Sequence, residues 1–233
     1  KKMTHMLGAL VNAGAVFVGG FLGALFGRLL NKKIGDAVMA GLALAVIYIG
    51  YSGSLAGSHT LVAILSLVIG AVIGTLLHLE DRVRSLGARL EKLVSKGDSG
   101  DFAKGFVSAS LLFCVGAMAI TGPLDSGLRN DHTTQYVKAL IDGIGAVIFA
   151  SNLGFGVLFS AFCILIYQGG ITLLAGLIAP YLSELVIGEM TCVGSLLVLA
   201  LGLNMLNVTK IKVMDYVPAV FLPILLCRIP FLL

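Results

Sequence analysis

"DGIGAVIFASNLGFG", residues 142–156, is apolar enough to lie in a lipid bilayer, yet it opens with a carboxylate and carries Ser151 and Asn152 near its end. An aspartate at the centre of a membrane helix costs ~2.5–3.5 kcal/mol on the insertion scale, so it rarely faces lipid. Two readings of Asp142 compete. Lys138 lies one turn earlier on the same helical face and makes a natural ion pair. The alternative is a cation-binding or proton-carrying role. Gly143 and Gly145 follow the acid and let another backbone or a ligand approach.

The rest of the chain has the same apolar character. Hydrophobic residues make up 58% of it, charged residues 12%, and mean hydropathy is +1.03. Soluble domains carry about 25% charged residues. Uncharged runs of about 18 residues or more recur, as membrane helices require. The expectation is an all-α polytopic membrane protein with about eight spans: 6–30, 35–55, 60–79, 102–121, 136–151, 156–180, 188–206 and 217–233. The fifth and eighth are short enough to be re-entrant. The first is too long for a signal peptide and has no clear cleavage site, so it is read as a retained span. Pro123 is expected to end the fourth, and residues 122–135 to form a polar external loop. In that loop Asp125, Asp131 and His132 are weighed as a cation vestibule against a plain solvated loop.

Positive charge orients these spans. Lys1, Lys2, Arg129, Lys138 and Arg228 fall on one side, and the other eleven of the 16 Lys and Arg residues on the other. The rich side, with the loops 28–33, 82–104 and 210–212, is expected to be cytoplasmic. Both termini are then outside, in the inner membrane of a bacterium. Within residues 78–96, Val83, Leu86, Leu90 and Leu93 recur at helical spacing against a charged face, which reads as an amphipathic helix on the membrane surface. Residues 97–101, "GDSGD", read as a turn into the fourth span.

An internal repeat is suggested by "IGDAVMAG" at 34–41 and "IGEMTCVG" at 187–194, each preceded by a Gly-Gly pair. Five spans separate the two copies, so corresponding spans cross in opposite directions. That is the inverted repeat of many secondary transporters. The expected organisation is a first three-span unit (1–79), an amphipathic helix and linker (80–101), central helices (102–152) and a second three-span unit (153–233). Gly19, Gly20, Gly169 and Gly170 are the expected interruptions or hinges. Asp36 and Glu189 fall at matching positions, where a first-turn carboxylate complements the helix dipole. Gly19, Gly23 and Gly27, and Gly70 and Gly74, form small-xxx-small steps that suit close helix packing or contacts in a homo-oligomer.

Candidate ion ligands gather around the fifth and sixth spans. Asp142 supplies charge. Gln168 and Thr172 share a face, and Ser151 and Asn152 offer further oxygens. Ser108 and Ser110 add hydroxyls in the fourth span. The four cysteines lie in apolar runs without metal spacing, and the four histidines are scattered, so no transition-metal site or cofactor is expected. His132 has no spaced nucleophile, so no enzyme is expected. Basic residues are not interleaved with aromatics, which argues against nucleic acid.

"SLLFCVGAMAITGPLDSGL", "DHTTQYVKALIDGIGAVIFASNLGFGVLFSA", "YQGGITLLAGLIAP" and the opening "MLGALVNAGAVFVGGFLGALFG" resemble the YdfK/YqgA-type bacterial membrane proteins, a family of unknown function. The resemblance covers almost the whole chain. It implies a label of sodium channel or pump and a polar centre between residues 116 and 175. It carries over no established ligand. Gly170 stands where the family pattern puts a small polar residue after "YQG". The functional expectation is a transporter or channel for a monovalent cation, Na⁺ or H⁺. The alternatives are a carrier of a small organic or anionic solute, and a non-transporting regulatory membrane protein.

Overall fold

The computed structural model describes residues 2–27, 32–94 and 99–232. Residues 28–31 and 95–98, which carry part of the expected cytoplasmic charge and of the expected turn, lie outside the described residues. Among the described residues the chain is helical and has no strand. Eleven α-helices follow in order: α1 Lys2–His5, α2 Leu7–Gly27, α3 Lys32–Ser54, α4 Thr60–Leu76, α5 Leu79–Val94, α6 Ser99–Cys114, α7 Met118–Arg129, α8 Thr133–Leu153, α9 Gly156–Ile178, α10 Glu184–Met205 and α11 Pro223–Leu226. Five of them (α2, α3, α8, α9 and α10) are long and apolar enough to cross a membrane. Counting the bent pairs α4–α5 and α6–α7 as one span each raises the number to seven. Large apolar side chains such as Phe17, Phe21, Phe26, Ile141, Ile144 and Ile166 are exposed on these helices. That pattern suits lipid and not water, so the chain is a multi-pass membrane protein.

Three segments differ from the sequence expectation, each for a local reason. The fourth span does not end at Pro123. It breaks earlier, at 115–117, where Gly116 has φ +110, a conformation that favours glycine. The chain then restarts as α7, bent by 60° from α6, and Pro123 lies inside α7. Residues 122–135 are therefore the larger part of α7, a short turn at Asn130, and the start of α8, in place of an external loop. The eighth run, 217–233, forms no long helix. Pro218 lies in a 3-10 stretch Val213–Phe221, and the one-turn helix α11 starts at Pro223. Prolines at this spacing withhold the N–H groups a long helix needs.

The chain divides into two compact units that interleave along the sequence: Lys1–Met39, Arg84–Cys114 and Met118–Ala179 form the first, and Ala40–Val83, Val115–Ala117 and Pro180–Leu233 the second.

In the first unit α2 lies along α8, and small residues set the distance. A Cβ on Gly19 would run into the carbonyl oxygen of Gly143, one on Gly23 into that of Val147, and one on Gly27 into that of Ser151. Both helices advance four residues per contact, so they run parallel, backbone against backbone. In lipid there is little hydrophobic drive between helices, and close packing of small residues takes its place. The small-residue stripe of α2 is thus occupied within one chain. Neither α2 nor α9 is interrupted at its Gly-Gly pair. Gly20 abuts Leu158, Gly169 meets the Met6 side chain, and Gly170 has nothing near it.

The second unit is built around α10, most of which is buried. Gly50, Gly53 and Gly57 face Leu199, Ser195 and Cys192 in turn, so the chain through α3 runs antiparallel to α10. Gly70 and Gly74 of α4 press on Ala219 and Asp215 of the 3-10 stretch. Ala63, Cys192, Val193 and Ala219 form the core, with Leu67 and Leu196 against it.

Candidate functional site: a polar layer across the first unit

Helix α8 has 21 residues, about 31 Å at 1.5 Å per residue, close to the ~30 Å hydrocarbon core. Asp142 lies near its middle and is 4% exposed. Lys138, four residues earlier, is 7% exposed. Its Nζ lies 2.9 Å from Asp142 Oδ1 and 2.8 Å from Oδ2. The ion pair anticipated from the spacing is therefore present, and it engages both carboxylate oxygens.

A second helix completes the carboxylate's shell. Asn12 is the sole polar residue in the 21-residue α2 and is fully buried. Its Nδ2 donates to Asp142 Oδ2 at 3.0 Å and to Gln168 Oε1 of α9 at 3.1 Å. Gln135 Nε2, at the start of α8, donates to the same Gln168 oxygen at 3.4 Å. Ser126 Oγ of α7 donates to Gln135 Oε1 at 2.6 Å. The Ser126 carbonyl lies 2.9 Å from His5 Nδ1, and its hydroxyl oxygen 2.9 Å from His132 Nδ1. Four long elements of the first unit, α2, α7, α8 and α9, thus contribute to one polar string through an apolar interior.

The carboxylate fixes the sense of this string. An ionised Asp142 only accepts, so Asn12 must present its NH₂. Gln168 must then present its carbonyl, and Gln135 its NH₂ toward Gln168 and its carbonyl toward Ser126. The single Ser126 proton follows the 2.6 Å contact to Gln135 in preference to the 3.1 Å contact to the Asp131 carbonyl. His132 Nδ1 then carries the hydrogen donated to Ser126. Asn12 Oδ1, Gln168 Nε2 and Thr172 Oγ1 are buried without a hydrogen-bond partner among the described residues.

Of the residues singled out in the sequence, Asp142 and Gln168 meet through Asn12. Thr172 is buried one turn beyond Gln168, its hydroxyl unpaired. Ser151 and Asn152 lie elsewhere, about 14 Å further along α8. Ser151 donates to the Ile148 carbonyl and Asn152 to Ser151. Asp125, Asp131 and His132 do not converge on a common point. Asp125 pairs with Arg129 at 3.5 Å. Asp131 Oδ1 accepts from Thr133 N at 2.9 Å and Thr133 Oγ1 at 2.7 Å. Those bonds hold its exposed carboxyl below the usual carboxylate range. Asn12, Gln135 and Ser126 were missed. A lone amide in an apolar helix was the available signal for Asn12. The other two were hidden in what reads as a loop.

The second unit buries an acid of another kind. Glu189 of α10 is 1% exposed. Its Oε1 accepts from the backbone N–H of Ser58 at 2.7 Å and of His59 at 2.9 Å, and lies 3.1 Å from His59 Nδ1. These are donors at the N-terminus of α4, whose own N-cap side chain makes no capping bond. Asp36, its sequence counterpart, is exposed.

A family model described as "Protein of unknown function (DUF554)" matches residues 7–228. The chain belongs to the DUF554 family. It is 29% identical over 222 residues to "Uncharacterized membrane protein YdfK" of Bacillus subtilis (strain 168), covering 94% of each chain. It is also 29% identical over 221 residues to "Uncharacterized protein YqgA" of Escherichia coli (strain K12), covering 93% of this chain and 94% of that one. No solved structure matches it. The family match spans every residue of the polar string from Asn12 to Gln168, His5 alone falling outside it.

Proposed function

We propose that this DUF554 protein is a transporter or channel for a monovalent cation, Na⁺ or H⁺, with Asp142 as the group that binds the ion. One observation carries the reading: an ionisable pair, Asp142 and Lys138, is buried midway along a membrane-length helix and tied to amides from two others. Ionisable groups at that depth are expensive and mark ion pathways. Asn12, Gln168 and Thr172 are the auxiliary ligands. Asn12 Oδ1 and Thr172 Oγ1 are hard oxygens that suit an alkali cation, and they make no hydrogen bond among the described residues. Ser151 and Asn152 drop out of the ligand set. The positive-charge asymmetry favours cytoplasmic 28–33, 82–104 and 210–212 segments in a bacterial inner membrane, with both termini outside.

The test is radiolabelled Na⁺ uptake into proteoliposomes, with and without a pH gradient, comparing wild type with Asp142→Asn. Uptake is expected in the wild type and lost in the variant, while its circular dichroism and elution volume stay unchanged. Equal uptake by both proteins would remove Asp142 from the mechanism.

A further inference from the structure

We propose a second monovalent-cation site, in the second unit, at the Oε2 oxygen of Glu189 and independent of Asp142. Asp142 has both carboxylate oxygens on the Lys138 ammonium. Glu189 has no such partner. Among the described residues its ion pairing is limited to the His59 ring, whose Nδ1 lies 3.1 Å from Oε1. The same oxygen accepts from the backbone N–H of Ser58 at 2.7 Å and of His59 at 2.9 Å. One oxygen of Glu189 thus fastens the start of α4, and the other is left open. Oε2 is buried with no hydrogen-bond partner among the described residues, on a side chain that is 1% exposed. A carboxylate oxygen without donor or counter-charge is costly in an apolar interior. A cation beside Oε2 removes that cost.

The surroundings of Oε2 fit a small ion that prefers hard oxygens. Gly57 leaves the approach clear. A Cβ at that position would lie 3.0 Å from Oε2, 2.9 Å from Cys192 Sγ and 2.7 Å from Cys192 Cβ, so any side chain there would close off the carboxylate. The loop 55–59, which carries the two N–H donors, also offers oxygens. The carbonyls of Ala56, Gly57 and Ser58 accept no hydrogen bond among the described residues. One carboxylate oxygen with neutral carbonyls and water is the donor set of an alkali cation, and one carboxylate balances one positive charge. A divalent or transition metal needs more ligands than this. No group of three His, Cys, Asp or Glu side chains that could hold such a metal is present among the described residues.

Entry is short. Glu189 lies in the second turn of α10. Ser183 and Glu184 at that end of the helix, and Ser58 of the loop, are polar and exposed. The His59 ring is 21% exposed. An ion reaches Oε2 past the loop, and binding there ties the loop, the start of α4 and α10 together. Its effect is therefore read in the order of the loop.

Hydrogen exchange on the purified full chain in detergent tests this. Amide exchange in the segment 55–59 is followed by mass spectrometry in LiCl, NaCl, KCl or N-methyl-D-glucamine chloride at equal ionic strength. At least one alkali salt is expected to slow exchange relative to the N-methyl-D-glucamine salt, by about threefold when its concentration is about twice the dissociation constant. The same slowing is expected in Asp142→Asn, and none in Glu189→Gln. The glutamine keeps an oxygen for the Ser58 and His59 donors and removes the charge.

Equal exchange in all four salts overturns the proposal and leaves the His59 ring as the only balance for Glu189. Slowing that persists in Glu189→Gln overturns it as well. Slowing that vanishes in Asp142→Asn assigns the ion to Asp142 and removes the second site. The Asp142 reading stands or falls separately, on the uptake measurement with Asp142→Asn. Should Glu189→Gln fail to fold, the wild type decides. A bound ion gives a saturating response that differs among Li⁺, Na⁺ and K⁺, whereas an identical response to the three is general screening and overturns the site.

Discussion

Asp142 in the first unit and Glu189 in the second are both almost completely buried, and the two are held in opposite ways. Asp142 in the first unit faces a flexible lysine side chain and one amide. Glu189 in the second faces two backbone N–H groups at the head of α4, with the His59 ring beside them. A lysine side chain can swing away. Backbone donors at a helix start cannot. The difference separates a carboxylate with a movable partner from one fixed by the main chain.

The sharpest way to break this comparison is to unbalance each acid and then ask whether a second change restores it. Lys138→Met leaves a buried carboxylate without its counter-ion and is expected to cost about 3–5 kcal/mol, the usual penalty for removing one partner of a buried pair. Adding Asp142→Asn should recover most of that, because the charge is gone with its partner. Titration with denaturing detergent, followed by circular dichroism, reads both variants. Failure of the double variant to recover would place the pair among the structural fasteners alongside Glu189.

A somewhat smaller loss is expected from Glu189→Leu, about 2–3 kcal/mol, as charge-assisted bonds to backbone donors disappear. No side-chain change can compensate, since the orphaned donors belong to the main chain. His59→Leu added to Glu189→Leu should therefore leave the loss in place. Hydrogen exchange at Ser58 and His59 should rise in the same variant. Unchanged protection at those two amides would refute the capping role.

The smallest effect belongs to Asp131, an exposed acid that caps the start of α8. Its carboxyl is held below the usual range, chiefly by the Thr133 backbone N–H and then by the Thr133 hydroxyl. A group with a depressed folded value stabilises above its unfolded value, near 3.9, and loses that contribution as pH falls through the folded one. Asp131→Asn should thus remove part of the acid sensitivity of amide exchange in the first turn of α8 and leave neutral-pH stability within error. An identical acid profile in wild type and variant would deny the cap.

How much of this was legible beforehand follows from what each residue type signals alone. The membrane-length helices were readable because an apolar run has one meaning at that length. Asp142 was readable because charge is rare within such a run, and Lys138 because it lies four residues away. Asn12 carried a similar signal, weaker since an uncharged amide interrupts hydropathy less. Gln135 and Ser126 sit among Asp, Asn, Thr and Gly, where polarity looks like solvent exposure, and only the folding of 118–129 into α7 turns them inward. The break at 115–117 left no trace, because glycine is common in membrane helices and only its backbone angle distinguishes Gly116. The chain end was misread from hydropathy alone, although Pro218, Pro223 and Pro230 argued against a long helix. The matched motifs around Asp36 and Glu189 share letters and differ in surroundings, one exposed and one deeply buried.

The glycine contacts between α2 and α8 have a mechanical corollary. Two rods that touch along their spines, tooth in notch at every turn, behave as a single bar. Asn12 rides on one rod and Asp142 on the other, so the carboxylate cannot be lifted toward either water phase by sliding its own helix alone. Whatever frees the carboxylate must therefore be rotation of side chains at the joint: the lysine turning aside and the amide letting go, with the bar itself stationary.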